Sequence, residues 1–143
     1  MSGGGSNRGF TIEKSKTGGA ICSFQGKFLH SKYNPLGEAE RFVQNLAADF
    51  SPLCIFILEP ALSYCAPFLK KRFTGATICA IRFSHFFSET DKNWDFVFYS
   101  DKASGLELAS NLFGALGEEK IISSLVFDWP PSRLVFQEQS VFA

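Results

Sequence analysis

The chain has 143 residues, 45% hydrophobic and 20% charged, a length and balance that suit one domain around one core. Fourteen basic and fourteen acidic residues cancel to a formal net charge of zero, so the composition offers no electrostatic capture of nucleic acid or of an anionic membrane surface. No apolar run approaches the roughly 18 residues of a membrane-spanning helix, and Met1–Ser6 lacks the apolar stretch of a signal peptide.

These features predict a cytoplasmic protein with a flexible lead over residues 1–8 and a single domain over residues 9–143. Cys22, Cys54, Cys65 and Cys79 form no CxxC pair, and three of them lie within apolar runs, so reduced structural thiols are expected. The only histidines, His30 and His85, are far apart in sequence, so no metal site is predicted. The 17 phenylalanines can fill a core with few residues and leave some rings at the surface for a partner.

Residues 9–13, 20–24 and 27–30 alternate weakly and are separated by Gly-containing turns, which predicts a small antiparallel meander. Asn34-Pro35 is a helix start, with Asn as cap and Pro at the first helical position. Ala39, Phe42, Val43, Leu46 and Phe50 recur at spacings of three and four, predicting a helix over 35–48 that Ser51-Pro52 ends. Leu53–Leu58 is a continuous apolar run, as expected of a strand covered on both faces. A helix follows, with Leu62, Cys65, Leu69 and Phe73 on one face; Pro67 makes it either start late, near Ala66, or bend. Ala76–Phe83 is a second buried strand, and strand, helix and strand within about 30 residues is the spacing of a βαβ unit.

Beyond it the pattern is less determined. Ser84–Asn93 reads as a short helix or a packed loop, and Trp94–Tyr99 as a short strand or helix. Leu106, Ala109, Leu112, Phe113 and Leu116 predict a helix over 103–116 stopped by Gly117. Ile121–Phe127 is a further strand candidate, broken by Asp128-Trp129-Pro130-Pro131, and Leu134–Phe136 a candidate edge strand. The fold predicted is α/β and Rossmann-like: a mainly parallel sheet flanked by helices, with an N-terminal antiparallel meander.

Open α/β sheets bind ligands at the carboxyl ends of their strands, and a nucleotide there needs glycines so that backbone can approach phosphate. The loop after the first buried strand is instead Glu59-Pro60-Ala61-Leu62-Ser63-Tyr64, without glycine, which argues against a nucleotide bound in the usual way. Glu59 could accept a hydrogen bond from a ligand hydroxyl, though a solvated loop carboxylate is the favoured reading. The turn His30-Ser31-Lys32-Tyr33-Asn34 gathers polar side chains at a helix N-terminus, where they either meet a ligand or simply build the turn; building the turn is favoured. His85, among Phe83, Phe86 and Phe87, is expected to be a buried, satisfied histidine. Paired carboxylates at Glu38/Glu40 and Glu118/Glu119 are read as solvated helix-end charges. No catalytic set emerges, since Ser31 and His30 are adjacent and no nucleophile elbow is present.

The run from Phe28 to Arg41 resembles the "LHS-x-Y-(D/N)-P-x-x-E-A-x-R" segment of the motility-associated factor (Maf) proteins. These are flagellin glycosyltransferases of flagellated bacteria, related to the 6-hydroxymethylpterin pyrophosphokinase MptE-like proteins. That family's "G-L-G-Y" loop corresponds to Ala61–Tyr64, where Tyr64 is kept and the glycines are replaced by Ala61 and Ser63. Asp128–Ser132 is similar to the family's "W-x-P-S" element. The resemblance spans most of residues 10–136 and covers the N-terminal Rossmann-like domain only. It implies a degenerate stand-alone domain, a non-catalytic binding or scaffold module in flagellin modification, with His30, Ser31, Tyr33, Asn34, Glu38 and Tyr64 as candidate ligand-binding positions; Glu59 joins them from its own place at the strand end. The implied partner is the chain itself, a larger glycosyltransferase or flagellin. No cofactor is expected, with a nucleotide sugar as the one possibility. The alternatives are a small nucleotide- or nucleotide-sugar-dependent transferase and an oligomeric structural protein without ligand.

Overall fold

The structure, a computed structural model, describes residues 9–100 and 104–136; the expected flexible lead at 1–8 lies outside them. Strands β1 (Phe10–Lys14), β2 (Ala20–Phe24) and β3 (Lys27–Phe28) form the antiparallel meander, in the order β1-β2-β3. The third strand is shorter than expected: Leu29 still donates its N–H to the Cys22 carbonyl of β2 at 2.8 Å, but Leu29 and His30 are buried in the core and strand pairing ends at Phe28.

Helix α1 covers Pro35–Gln44, capped by the Asn34 side chain, which accepts from the Gly37 N–H at 3.0 Å. It ends four residues before the predicted boundary. The guanidinium of Arg72, arriving from the next helix, donates to the Val43 carbonyl and satisfies the helix end there. Beyond this point Phe50, assigned above to the apolar face, is exposed.

The second sheet holds β4 (Cys54–Leu58), β5 (Thr77–Arg82), β6 (Phe96–Tyr99) and β7 (Ser124–Asp128), all parallel, in the order β6-β5-β4-β7. Numbered within the sheet this is 3-2-1-4, the first four strands of a Rossmann arrangement, with the chain reversing direction across the sheet between β4 and β7. The predicted α/β class is therefore what the chain adopts. Every residue of β4 is buried, as an unalternating apolar run requires. Helix α2 (Ala66–Arg72) starts late with Pro67 in its first turn, where a missing N–H costs nothing.

Two predicted elements differ. Ile121 belongs to a short helix α4 (Glu118–Ile122), so β7 begins only at Ser124. Pro130-Pro131 does not merely break the chain: Pro130 opens helix α5 (Pro130–Val135), which replaces the expected edge strand at 134–136. Within 84–93, where a short helix or a packed loop is expected, residues Ser88–Asn93 form a short 3₁₀ helix. Helix α3 (Gly105–Leu116) closes as expected at Gly117, which takes φ +85°, and opens with a capping box between Ser104 and Glu107.

The core has two parts, one on each face of the parallel sheet. One is built from Ile55, Ile57, Ile78 and Ala80 with Ala39 and Val43 of α1 and Leu69 of α2. The other sets Phe56, Leu58 and Ile81 against Leu116 of α3. All four cysteines are unbridged and buried. Burial pushes the thiols of Cys22 and Cys65 up to about 12, so neither supplies a thiolate nucleophile near neutral pH. No helix among the described residues is long and apolar enough to cross a membrane.

Candidate functional site

In this topology the ligand crevice lies outside the carboxyl ends of β4 and β7, where the chain reverses direction. The loop leaving β4 bends sharply: Glu59, Ala61 and Ser63 take φ of 41°, 52° and 66°, the left-handed region that favours glycine. The loop thus has a glycine-type backbone without a glycine in it.

Side chains hold that backbone in place. Leu58 of β4 pairs with Ile81 of β5, so the next residues, Glu59 and Arg82, meet at the sheet's end. Both are fully buried, with 2.8 Å between Arg82 Nη1 and Glu59 Oε2. The same guanidinium donates to the Ala61 carbonyl at 2.7 Å, to Ser63 Oγ at 3.0 Å, to Thr90 Oγ1 at 2.7 Å and to Asp91 Oδ1 at 3.0 Å. Glu59 accepts from the N–H groups of Ala61 at 3.1 Å and Phe83 at 2.9 Å. Burial pushes the Glu59 carboxyl above its usual range; Arg82 and the two N–H groups pull it back. The expected solvated loop carboxylate is therefore corrected: Glu59 is the centre of a buried ion-pair network.

The meander and the segment after β7 close the crevice. His30 is 2% exposed, and its Nε2 accepts from the Leu62 N–H at 3.0 Å, which places the ring proton on Nδ1. Nδ1 has no hydrogen-bond partner. Desolvation holds the imidazole at about 3, so it is neutral at physiological pH. Its ring packs on Tyr64 and Trp129, at centroid distances of 5.0 Å and 5.5 Å. The Tyr64 hydroxyl donates to the Ala20 carbonyl, and burial raises its pKa. Trp129 Nε1 donates to the Leu29 carbonyl at 2.8 Å, and Ser132 Oγ to the Glu59 carbonyl at 2.7 Å.

Of the candidate positions, His30, Glu59 and Tyr64 come together at this junction. The other four build the start of α1. Ser31 Oγ accepts from the N–H groups of Tyr33 and Asn34, both at 3.1 Å, and the Ser31 N–H donates to Glu38 Oε1 at 2.7 Å. Half-burial raises the Glu38 carboxyl above its usual range, so it is not the freely solvated helix-end charge expected. The Tyr33 ring is 64% exposed. His85 is also corrected: it is exposed and stacks on Tyr99 at 3.8 Å, because the 3₁₀ turn directs Phe87 inward instead.

Sequence reasoning missed Arg82, Asp91 and Trp129. A lone arginine ending the apolar run Ile78–Arg82 was the available signal, since a buried charge demands a partner. Glu38 and Arg41, distant in sequence from Trp129 and Pro131, line the same groove with them.

Placing glycine at positions 61 and 63 separates backbone strain from side-chain bonding. Ala61→Gly relieves about 1 kcal/mol of left-handed strain and loses about 0.8 kcal/mol of methyl burial, so urea unfolding should show near-neutral stability. Ser63→Gly gains the same relief but leaves Trp94 Nε1, 2.9 Å from Ser63 Oγ, and one Arg82 N–H without that acceptor. It should cost about 2 kcal/mol net.

Among the described residues no group of His, Cys, Asp and Glu could hold a metal ion. Compared with protein-family models, curated proteins and solved structures, the chain matches none.

Proposed function

We propose that the chain is a non-catalytic binding or scaffold domain of Rossmann-like form. One observation carries this reading: the crevice between β4 and β7 is filled by the protein's own His30, Glu59–Tyr64 loop and Trp129, tied together by buried hydrogen bonds. A phosphate there needs free backbone N–H groups. In this loop the Ala61 N–H is given to Glu59, the Leu62 N–H to His30, and the Ser63 N–H to the Pro60 carbonyl.

The place of this domain in flagellin glycosylation, with a larger glycosyltransferase or flagellin as partner in the cytoplasm, is carried by the resemblance of Phe28–Arg41 and Asp128–Ser132 to the Maf proteins. Incubated alone with nucleotide-activated sugars, the purified protein should release no nucleotide, and calorimetry at millimolar ligand should register no binding. Unaided turnover would refute the reading.

A further inference from the structure

Two of the four thiols meet. Cys54 of β4 and Cys79 of β5 are both fully buried, with 3.6 Å between their Sγ atoms and a hydrogen bond from one sulfur to the other. Strand register explains the approach. Cys54 lies directly opposite Thr77, and Cys79 directly opposite Phe56, so the cysteines are diagonal neighbours on the α3 face of the sheet.

A cation is held beside them. Lys120 of α4 donates from Nζ to Thr77 Oγ1 at 3.0 Å, and Thr77 is the partner of Cys54 across the strands. The hydrogen bond from Cys79 draws the Cys54 thiol below its usual pKa against the effect of burial, and the Lys120 ammonium acts in the same sense as that bond. The Asp95 carboxylate, which accepts from the Ile78 N–H at 2.9 Å, opposes it. Cys79 is raised, first by the bond it gives to Cys54 and then by burial. The pair therefore releases its first proton far more readily than its second. A thiolate with a thiol hydrogen-bonded to it can attack an oxidant with one sulfur and resolve the product with the other. Cys22 and Cys65, lifted to about 12 by burial, supply no such thiolate.

Access is along the groove between α3 and the sheet. Ser124, which pairs with Cys54 from β7, and Phe56, two positions along β4, both line it. The groove is open at Val126, which is 54% exposed. A molecule little larger than water thus comes within one residue of the pair.

We propose that Cys54 and Cys79 are a redox-active dithiol that a hydroperoxide oxidises to an intrachain disulfide. The Cys54 thiolate attacks a peroxide oxygen, the O–O bond breaks, and the leaving oxygen takes a proton from water and departs as water or an alcohol. The Cys79 sulfur then attacks the Cys54 sulfenic acid; the S–S bond forms, the S–O bond breaks, and the departing hydroxide leaves as water with the Cys79 proton. The two thiols lose two electrons and the peroxide gains them. The sulfurs close from 3.6 Å to about 2.05 Å, so oxidation draws the amino ends of β4 and β5 together. The proposal is independent of whether the crevice accepts a nucleotide.

The test treats the reduced full chain with hydrogen peroxide in native buffer, then unfolds it, alkylates the remaining thiols and maps the peptides. A disulfide between Cys54 and Cys79, alkylation retained at Cys22 and Cys65, and full reversal by dithiothreitol are expected. Cys54→Ala should leave Cys79 unreacted, and Cys79→Ala should stop at a sulfenic acid on Cys54 that dimedone traps. The valine variants serve if either alanine variant does not fold. Four free thiols after native treatment would overturn the proposal, as would oxidation confined to the urea-unfolded chain. Equal loss at Cys22 and Cys65, or a disulfide joining two chains, would overturn it as well.

Discussion

Arg82→Met should destabilise the protein by about 3–5 kcal/mol in urea or thermal unfolding, the cost of leaving one partner of a buried ion pair uncompensated. Methionine keeps much of the volume but none of the donors. Glu59, fully buried, then faces no cation, and the carbonyls of Ala61 and Phe87 lose the N–H groups they receive at 2.7 Å and 3.3 Å. The double variant Arg82→Met/Glu59→Gln should recover part of the loss. A neutral amide no longer needs the cation, and its carbonyl oxygen still accepts from the Phe83 N–H, now 2.9 Å from Glu59 Oε1. If the single variant unfolds within 1 kcal/mol of the parent, the network is not what holds the loop.

Acid should unfold the protein through His30. Its folded pKa lies at about 3, against about 6.5 for an unfolded histidine, so below pH 6.5 the unfolded chain binds a proton that the folded chain refuses. Stability from this group is therefore complete above pH 6.5 and declines as pH falls toward 3, by several kcal/mol in order of magnitude at pH 4. Glu38 and Glu59, whose carboxyls are raised by burial, act in the opposite sense, since the folded state takes up their protons first. Comparison with His30→Gln isolates the histidine: the amide oxygen can still accept from Leu62 N–H but cannot titrate. Unfolding free energies from pH 8 to pH 4 should fall more steeply for the parent than for the variant. Parallel curves would exclude His30 as the source.

The parallel sheet and the βαβ unit were legible because unbroken apolar runs at Leu53–Leu58 and Ala76–Phe83 have few other uses in a chain of this size. The first helix was legible from Asn34-Pro35 and its apolar stripe. Helix α5 was not, because Pro130-Pro131 signals a stop and a start with the same residues, and only tertiary packing of Trp129 decides between them. At the site, the absence of glycine in 59–64 was readable, but the fate of Glu59 was not. Its partner lies 23 residues away and is brought beside it by strand register. His30 reads the same way: sequence placed it in a polar turn, whereas chain reversal after β3 carries it under Trp129.

The hydrogen bond between Leu29 and Trp129 joins positions 100 residues apart. A contact of such separation carries a loop-closure cost that nearer contacts do not, so it depends on the rest of the fold to offset that cost. On a ribosome, the meander emerges 100 residues ahead of Trp129 and must wait for it before its side of the crevice can seal. Synthesis order and assembly order therefore run opposite ways in this domain, since Leu29 is made long before the side chain that covers it.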